Sequence, residues 1–533
     1  MSSAILFRCA RLHDGCAFLL STVNAFVVRD GRIVWMGNAD DAPKDVAKTV
    51  DLKGHTVTPA LCDVHTHPSW IANQVHAVPC VAPVVNNIEE LLDALRRHPN
   101  FGQDATHWLT GFGYDEGKLA EHRTPTRHDL DRVSTTQPIF VKRSDCHSAI
   151  CNTVALKVAG IYATTPDPQG GRFGRDADGT PNGILTEFAA ASLVERCMGD
   201  PTFERDVETL LASAPHFLAR GILSMTEMMA SRRQLDVYRE AARRGFPIRC
   251  GLYLVWRGGT NPQGMPPLTD DERTGDHFIA GVKVFADGSV SGATAAVHTP
   301  YRDGSQGMMT LTLAELEAAT AYARANQVQM SVHVMGDRAI DAMLDFFDGQ
   351  DPWLTDRPSV RLEHVTFLSE AQAVRMARSS MSFGVTTQVI FAYAEIEGYR
   401  AVLTDDAMRR IYPVRTLMDI LPALALSSDA PATAWADPDD PFVSMTAAVT
   451  RQAWDGTDFV TQEAVTPEEA IALYTSRAMA VLPFEGSGRL TVGSRADFIE
   501  LENAFPHDAS ALASVWHQGH CVWSSTQASD TSH

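Results

Sequence analysis

The sequence predicts an α/β protein: a (β/α)8 TIM barrel, a small β-sandwich formed by both chain ends, and a large insertion capping the barrel mouth. Three observations carry this expectation. Eight short apolar, strand-like runs alternate with helix-like runs through the middle of the chain. The two ends are strand-rich in a way the middle is not. Histidine, lysine and aspartate stand at the ends of several of the apolar runs, where a parallel barrel gathers its chemistry.

The chain has 533 residues, a formal net charge of -20 and 45% hydrophobic residues. A single core stops growing near ~250–300 residues, so one large and one smaller core are expected. The acidic balance argues against nucleic-acid binding and against an anionic membrane surface, leaving a small-molecule substrate as the expected partner. No stretch approaches the ~20 apolar residues that span a bilayer. The apolar patch at the start is broken by Arg8 and Arg11 and lacks the layout of a signal peptide. Nine scattered cysteines without a CxxC pair suggest neither a disulfide framework nor a cysteine zinc site. A reducing cytoplasm fits this usage, and a homodimer is the default expectation for assembly.

Taken in order, segments 5–7, 25–29 and 32–36 read as strands, with Asp30-Gly31 as a hairpin turn. At the other end 496–501 and 515–523, the latter around Gly519, repeat the style. Chain ends often lie close together, so 1–58 and 484–533 are assigned to one β-sandwich domain. Residues 59–483 are assigned to the barrel. Its strands are expected at 56–63, 221–227, 248–254, 281–286, 328–333, 360–364, 382–386 and 424–428, with helices such as 313–326 and 467–480 between them. The longest interruption, 70–206, carries Pro-, Gly- and Asp-rich turns over 169–183 and reads as the cap.

The strongest local signal is Asp63-Val64-His65-Thr66-His67 directly after the first apolar run. Residues i and i+2 of a strand face the same way, so His65 and His67 present two imidazoles together. Imidazole is a common ligand for zinc and similar ions; the plain alternative is two histidines beside a turn. Lys283 lies inside the apolar run VKVF, where an ammonium needs a partner. His333, His364 and Asp429 end three later runs. Each alone is compatible with a hydrogen-bonded core residue. Together they occupy the C-terminal ends of strands one, four, five, six and eight, which converge on one mouth, and this points to a metal site.

In that order HxH, Lys, His, His and Asp resemble the amidohydrolase superfamily. The segments VKVFADGSVSGATAA, SVHVMGDRAIDAML, RLEHVTFL and LSSDAPATAWADP, followed by PEEAIALYTSRAMA and GRLTVGSRADFIEL, are similar to its amidohydrolase-3, YtcJ-like branch, which contains the N-substituted formamide deformylases. The resemblance spans 58–501. Two stretches depart from it: Thr387-Gln388-Val389 where relatives often carry Gln-Pro, and Asp145-Cys146-His147-Ser148 where they carry Gly-His-Ser. Both fall where substrate contacts are expected.

The resemblance implies two divalent metals, zinc being the expected ion, with one as the alternative. His65, His67 and Asp429 would hold the more buried ion and His333 and His364 the second. Lys283 would bridge them as an N6-carboxylated lysine. Metal binding lowers the pKa of water from ~15.7 to as low as ~7 and polarises a carbonyl. Asp429 would take the proton from that water and pass it to the leaving nitrogen. Asp337 either orients His333 or caps the following helix. Trp70, Phe112, Tyr114, Phe173, Phe391, Tyr393 and Trp435 either line an apolar pocket or pack the cap. Among them Trp70 and Phe391, with His147, are the candidate substrate contacts, and Asn152 is a further polar group expected at the mouth. The expected reaction is hydrolysis of a non-peptide C–N bond in a small molecule. The competing readings are deamination or lactone or cyclic-amide hydrolysis on the same metals, and a non-catalytic barrel scaffold.

Overall fold

Eight parallel strands form the barrel sheet: β1 (Leu61–Thr66), β2 (Ile222–Ala230), β3 (Arg249–Val255), β4 (His277–Phe285), β5 (Gln329–Val334), β6 (Val360–His364), β7 (Phe383–Thr387) and β8 (Leu424–Leu426). They pair in chain order from β1 to β8. The computed structural model describes residues 4–526 except 76, 145, 147, 169–170, 200–201, 257–264, 503–504 and 506–508. β4 is buried along every residue but its last, as a parallel strand covered on both faces must be. The sheet is nearly closed. Across the seam the backbone N–H of Ser428 donates to Asp63 Oδ1 at 3.3 Å.

The interleaved helices begin where the sequence supplies caps. Thr312 with Glu315, Ser369 with Gln372 and Thr466 with Glu469 form capping boxes at the starts of helices Leu313–Ala325, Glu370–Arg378 and Pro467–Leu473. Helix Leu313–Ala325 buries Leu316, Ala319, Thr320 and Ala323, the spacing of one helical face. The helix expected over 467–480 is two, Pro467–Leu473 and Ser476–Val481. Between them the Thr475 hydroxyl donates to the carbonyls of Ile471 and Gly15, and its backbone leaves the helical region.

The run expected as one strand at 56–63 is also divided. Thr56–Pro59 pairs antiparallel with Phe498–Leu501, whereas Leu61–Thr66 pairs parallel with β2. Pro59 has no N–H to continue a ladder, and the N–H of Ala60 turns to the carbonyl of Asp497. One apolar stretch therefore feeds two sheets.

The chain ends build two sheets. One has the order Arg32–Gly37, Ala25–Arg29, Ile5–Arg8, Lys48–Asp51; the other Arg11–Leu12, Thr56–Pro59, Phe498–Leu501, Leu512–His517, His520–Ser524. Strands from both termini meet in the second. Their shared core holds Phe7, Phe26, Phe498 and Trp516, whose ring centroids lie 5.1–5.6 Å apart in stacked and edge-on pairs.

Residues 69–210 with 429–438 form a second compact unit. Its six-stranded sheet runs Arg172–Arg175, Pro181–Thr186, Ala149–Cys151, Ile139–Arg143, Leu109–Tyr114, Val78–Pro79. Each face carries its own apolar cluster: Val141 and Ile150 on one side with Leu91, Leu95 and Leu109, and Phe140, Ala149 and Cys151 on the other with Leu156, Phe173 and Leu185. The insertion is thus a sheet with two cores. Among the described residues no helix is long and apolar enough to cross a membrane, and all nine cysteines are free.

Candidate metal centre

His65 lies near the end of β1 and His67 just beyond it, both buried. His65 Nδ1 lies 2.7 Å from Glu363 Oε2, so its Nε2 is the nitrogen available to a cation. His67 Nδ1 stands 3.9 Å from Glu227 Oε1 on β2. The His65 ring centroid is 4.7 Å from that of His364, and His364 is 4.4 Å from His333. His364 Nδ1 meets Gln388 Oε1 at 2.9 Å, which again turns Nε2 inward. His333 is the reverse case: its Nε2 sits 3.1 Å from the carbonyl of Gly288. The three imidazoles of β1, β5 and β6 form one contiguous group.

Neighbouring residues on a strand face opposite sides, yet Glu363 and His364 both serve this group. The backbone explains it. His364 and Val365 have φ of 71° and 41°, so the strand breaks left-handed at its last residue and swings the imidazole round. Asp429 has φ of 55°. Non-glycine residues in this region cost of order 1–3 kcal/mol and gather at functional sites. Asp429 follows Ser428, whose N–H is tied to Asp63. His65, His364 and Asp429 each offer one ligand atom, all within 4.8 Å of one another. Two imidazole nitrogens and a carboxylate oxygen at this spacing are a donor set suited to zinc or a similar divalent ion.

Lys283 is buried inside β4, its Nζ 5.6 Å from the centre of the Phe285 ring. Its register partner on β5 is Ser331, whose own partner on β6 is Arg361. Beneath the histidines lies a buried polar network. Arg361 Nε stands 3.0 Å from Glu363, and the same guanidinium donates to Tyr253 Oη at 2.5 Å and to the carbonyl of Val64 at 2.6 Å. Ser331 Oγ donates to Glu363 Oε1 at 2.7 Å, and Thr386 Oγ1 donates to Glu363 Oε2. Burial would raise the Glu363 carboxyl, but Arg361 and His65 outweigh it and hold it well below the usual carboxylate range. Burial pushes Asp63 up to about 7, against hydrogen bonds from Ser428 and His65. Burial likewise pushes Asp287 up to about 6, opposed by the N–H groups of Gly336, Met335 and Ala296.

The other candidates are placed as follows. Asp337 is the first residue of helix Asp337–Phe347, and its carboxylate accepts from the N–H groups of His298 and Arg338 and faces Arg410. A carboxylate beside His333 is that of Asp287, at 3.8 Å. Four residues of spacing carry Asp337 past the strand end, whereas Asp287 lies just beyond the neighbouring strand β4. Phe391 lies in helix Val389–Ala394 with its ring parallel to His364, centroids 6.2 Å apart. Trp70 is half-buried in helix Pro68–Gln74. His147 lies outside the described residues. Asn152 is a helix cap: its Oδ1 accepts from Ala155 and Ile139 and its Nδ2 donates to the carbonyls of Ser134 and Gln137. Tyr114 and Phe173 are core residues of the second unit. Sequence reasoning gives no role to Glu363, Glu227 or Arg361, and puts Gln388 in a stretch where substrate contacts are expected. The signal was there for two of them, since Arg361 and Glu363 alternate on an apolar strand that ends in a histidine.

A parallel barrel with imidazoles, a lysine and a carboxylate gathered at its strand ends defines a class: a (β/α)8 barrel enzyme with a metal-type centre. The amidohydrolase family profile matches residues 48–523. The chain belongs to that family, in its amidohydrolase-3, YtcJ-like branch, and is a hydrolase acting on carbon–nitrogen bonds. It is 28% identical to an N-substituted formamide deformylase of Arthrobacter pascens over 510 residues, 90% of each chain. It is 26% identical over 494 residues to YtcJ of Bacillus subtilis (strain 168), again 90% of each. In three dimensions it is similar to the crystal structure of an uncharacterized metal-dependent hydrolase from Pyrococcus horikoshii OT3, with a TM-score of 0.72, 24% identity, and coverage of 98% of this chain and 100% of that one.

Proposed function

We propose that the protein is a metal-dependent hydrolase that cleaves the amide-type C–N bond of a small, non-peptide molecule. The observation that carries this reading is the convergence of His65, His364 and Asp429 ligand atoms within 4.8 Å. His65, His67 and Asp429 would hold one divalent cation and His333 and His364 a second. Zinc is the ion this donor set suits best. The cation would supply a water of lowered pKa, from ~15.7 to ~7, and an electrophile for the carbonyl.

The chain's own residues do the rest. Glu363 and Gln388 fix the orientation of His65 and His364. Asp429 accepts the water proton and returns it to the leaving nitrogen, a transfer typically worth ~100- to 10,000-fold. Lys283 is buried in β4, and an ammonium there would be repelled by the two proposed cations. Capture of carbon dioxide by its neutral amine, with one proton lost to solvent, would turn Lys283 into an anionic carbamate able to hold a cation rather than repel it. Phe391 and Trp70 supply apolar surface to the substrate. The similarity to the Arthrobacter deformylase directs the substrate class toward N-substituted amides.

Metal analysis of the purified full chain tests the reading, together with release of amine from a panel of N-formyl and N-acyl amines. Bound divalent metal and amine release are the expected results. Carbon-13 NMR after exposure to labelled bicarbonate tests Lys283. The His65→Ala variant should carry less metal than wild type; unchanged stoichiometry would remove His65 from the ligand set.

A further inference from the structure

Both His65 and His364 have their Nδ1 held by an oxygen, but the oxygens differ in charge. Behind His65 stands the carboxylate of Glu363 at 2.7 Å. Behind His364 stands the neutral amide oxygen of Gln388 at 2.9 Å. Both arrangements are locked. Glu363 is gripped by Arg361, Ser331 and Thr386. The Gln388 amide is oriented by its Nε2, which donates to Ser427 Oγ at 2.8 Å, so its oxygen must face the imidazole. Glu363, Gln388 and Ser427 are all fully buried.

The remaining two histidines leave this contrast intact. His67 has Glu227 at 3.9 Å and His333 has Asp287 at 3.8 Å. These carboxylates stand at matching distances; Asp429 adds a carboxylate on the His65 side and the Gly288 carbonyl meets His333 Nε2 at 3.1 Å, and directly behind His65 and His364 the contrast is Glu363 against Gln388. A carboxylate accepting from Nδ1–H raises the basicity of the ligating nitrogen, and an amide does so far less.

We propose that Glu363 and Gln388 make the two cation positions unequal: the position of His65 binds tightly and is kept, and the position of His364 binds weakly and exchanges. This rests on the two-cation reading above. Gln388 is the positioning residue that sets the weaker site.

The test is a titration of chelator-stripped full-length protein with Zn2+ under competition by a chelator of known affinity, which reads binding without turnover. Wild type should bind in two steps at least 10-fold apart. Gln388→Glu should tighten the second step by 10-fold or more, and Gln388→Met should weaken it by 10- to 100-fold, both leaving the first step in place. Opposite responses to two substitutions at one position separate ligand tuning from loss of packing. Glu363→Gln should weaken the first step by a similar factor. Because that variant leaves Arg361 without its counter-charge and can fail to fold, the Gln388 pair decides the outcome. A single binding step, or a second step unmoved by both Gln388 variants, would overturn the inference while leaving a metal hydrolase intact. No binding by wild type would overturn the metal reading and this inference together.

Discussion

Asp429 is the residue at which the proposed proton transfer can be tested apart from metal holding. Its carboxylate lies among the candidate ligand atoms, and its left-handed backbone marks it as held against its own preference. Asp429→Asn keeps the size and a ligating oxygen but cannot take a proton. It should retain metal and lose turnover by ~100- to 10,000-fold. Metal analysis beside kcat checks this, and near wild-type turnover would remove the proton-transfer role. Single residues are also where the sequence leaves alternatives open, as for Asp337. Asp337 and Asp287 lie in similar Gly-Asp and Asp-Gly steps after strands, and only the packed structure shows that Asp287 is the carboxylate beside His333.

At the scale of elements, each strand brings obligations at both ends. The N-terminal end of β4 begins with His277, buried and lowered by desolvation to about 4 from its ordinary 6.5. The unfolded chain binds a proton here between those two pH values and the folded chain does not. The stability this histidine contributes is therefore fully present above 6.5 and is lost as pH falls toward 4, at up to about 1.4 kcal/mol per pH unit. In urea unfolding between pH 7 and pH 4.5, the His277→Phe variant should lose less stability than wild type. Equal slopes would mean that the buried ring does not stay neutral. In the second unit Asn152 ties helix Thr153–Val158 to strand Ile139–Arg143 and to the carbonyls of Ser134 and Gln137 through four hydrogen bonds. Asn152→Ala removes a cap worth ~1 kcal/mol and strands buried backbone groups at about 1–3 kcal/mol each. A loss of about 3 kcal/mol is expected, seen as faster proteolysis within 69–210. An unchanged cleavage rate would make the cap incidental.

Across the whole molecule, the chain ends act as one part. Phe498 packs on Phe7, Phe26 and Trp516, which come from opposite termini. Phe498→Ala should cost about 3–5 kcal/mol and loosen both ends at once. Trypsin should then cut at Arg8 or Arg11 at the same urea concentration at which the 512–526 strands are lost. Cleavage at one terminus with the other intact would show the two sheets to be independent. The division of the 56–63 run between two sheets gives this coupling a route, since the strand that pairs with Phe498–Leu501 leads straight into β1 and its histidines.

All eight barrel strands, the strand-rich ends and the six candidate ligands are legible in the sequence, because apolar periodicity and residue type are local properties. The alternation rule even places His65 and His67 on one side of β1. Tertiary structure alone decides that Glu363 and His364, adjacent and nominally opposed, both serve the same centre, because a left-handed turn at His364 overrides alternation. It alone decides which partner sits behind each imidazole, since Glu363 and His65 are 298 residues apart and meet only when β1 and β6 share a barrel. Residue type says what a side chain can do; the closed sheet decides what stands next to it.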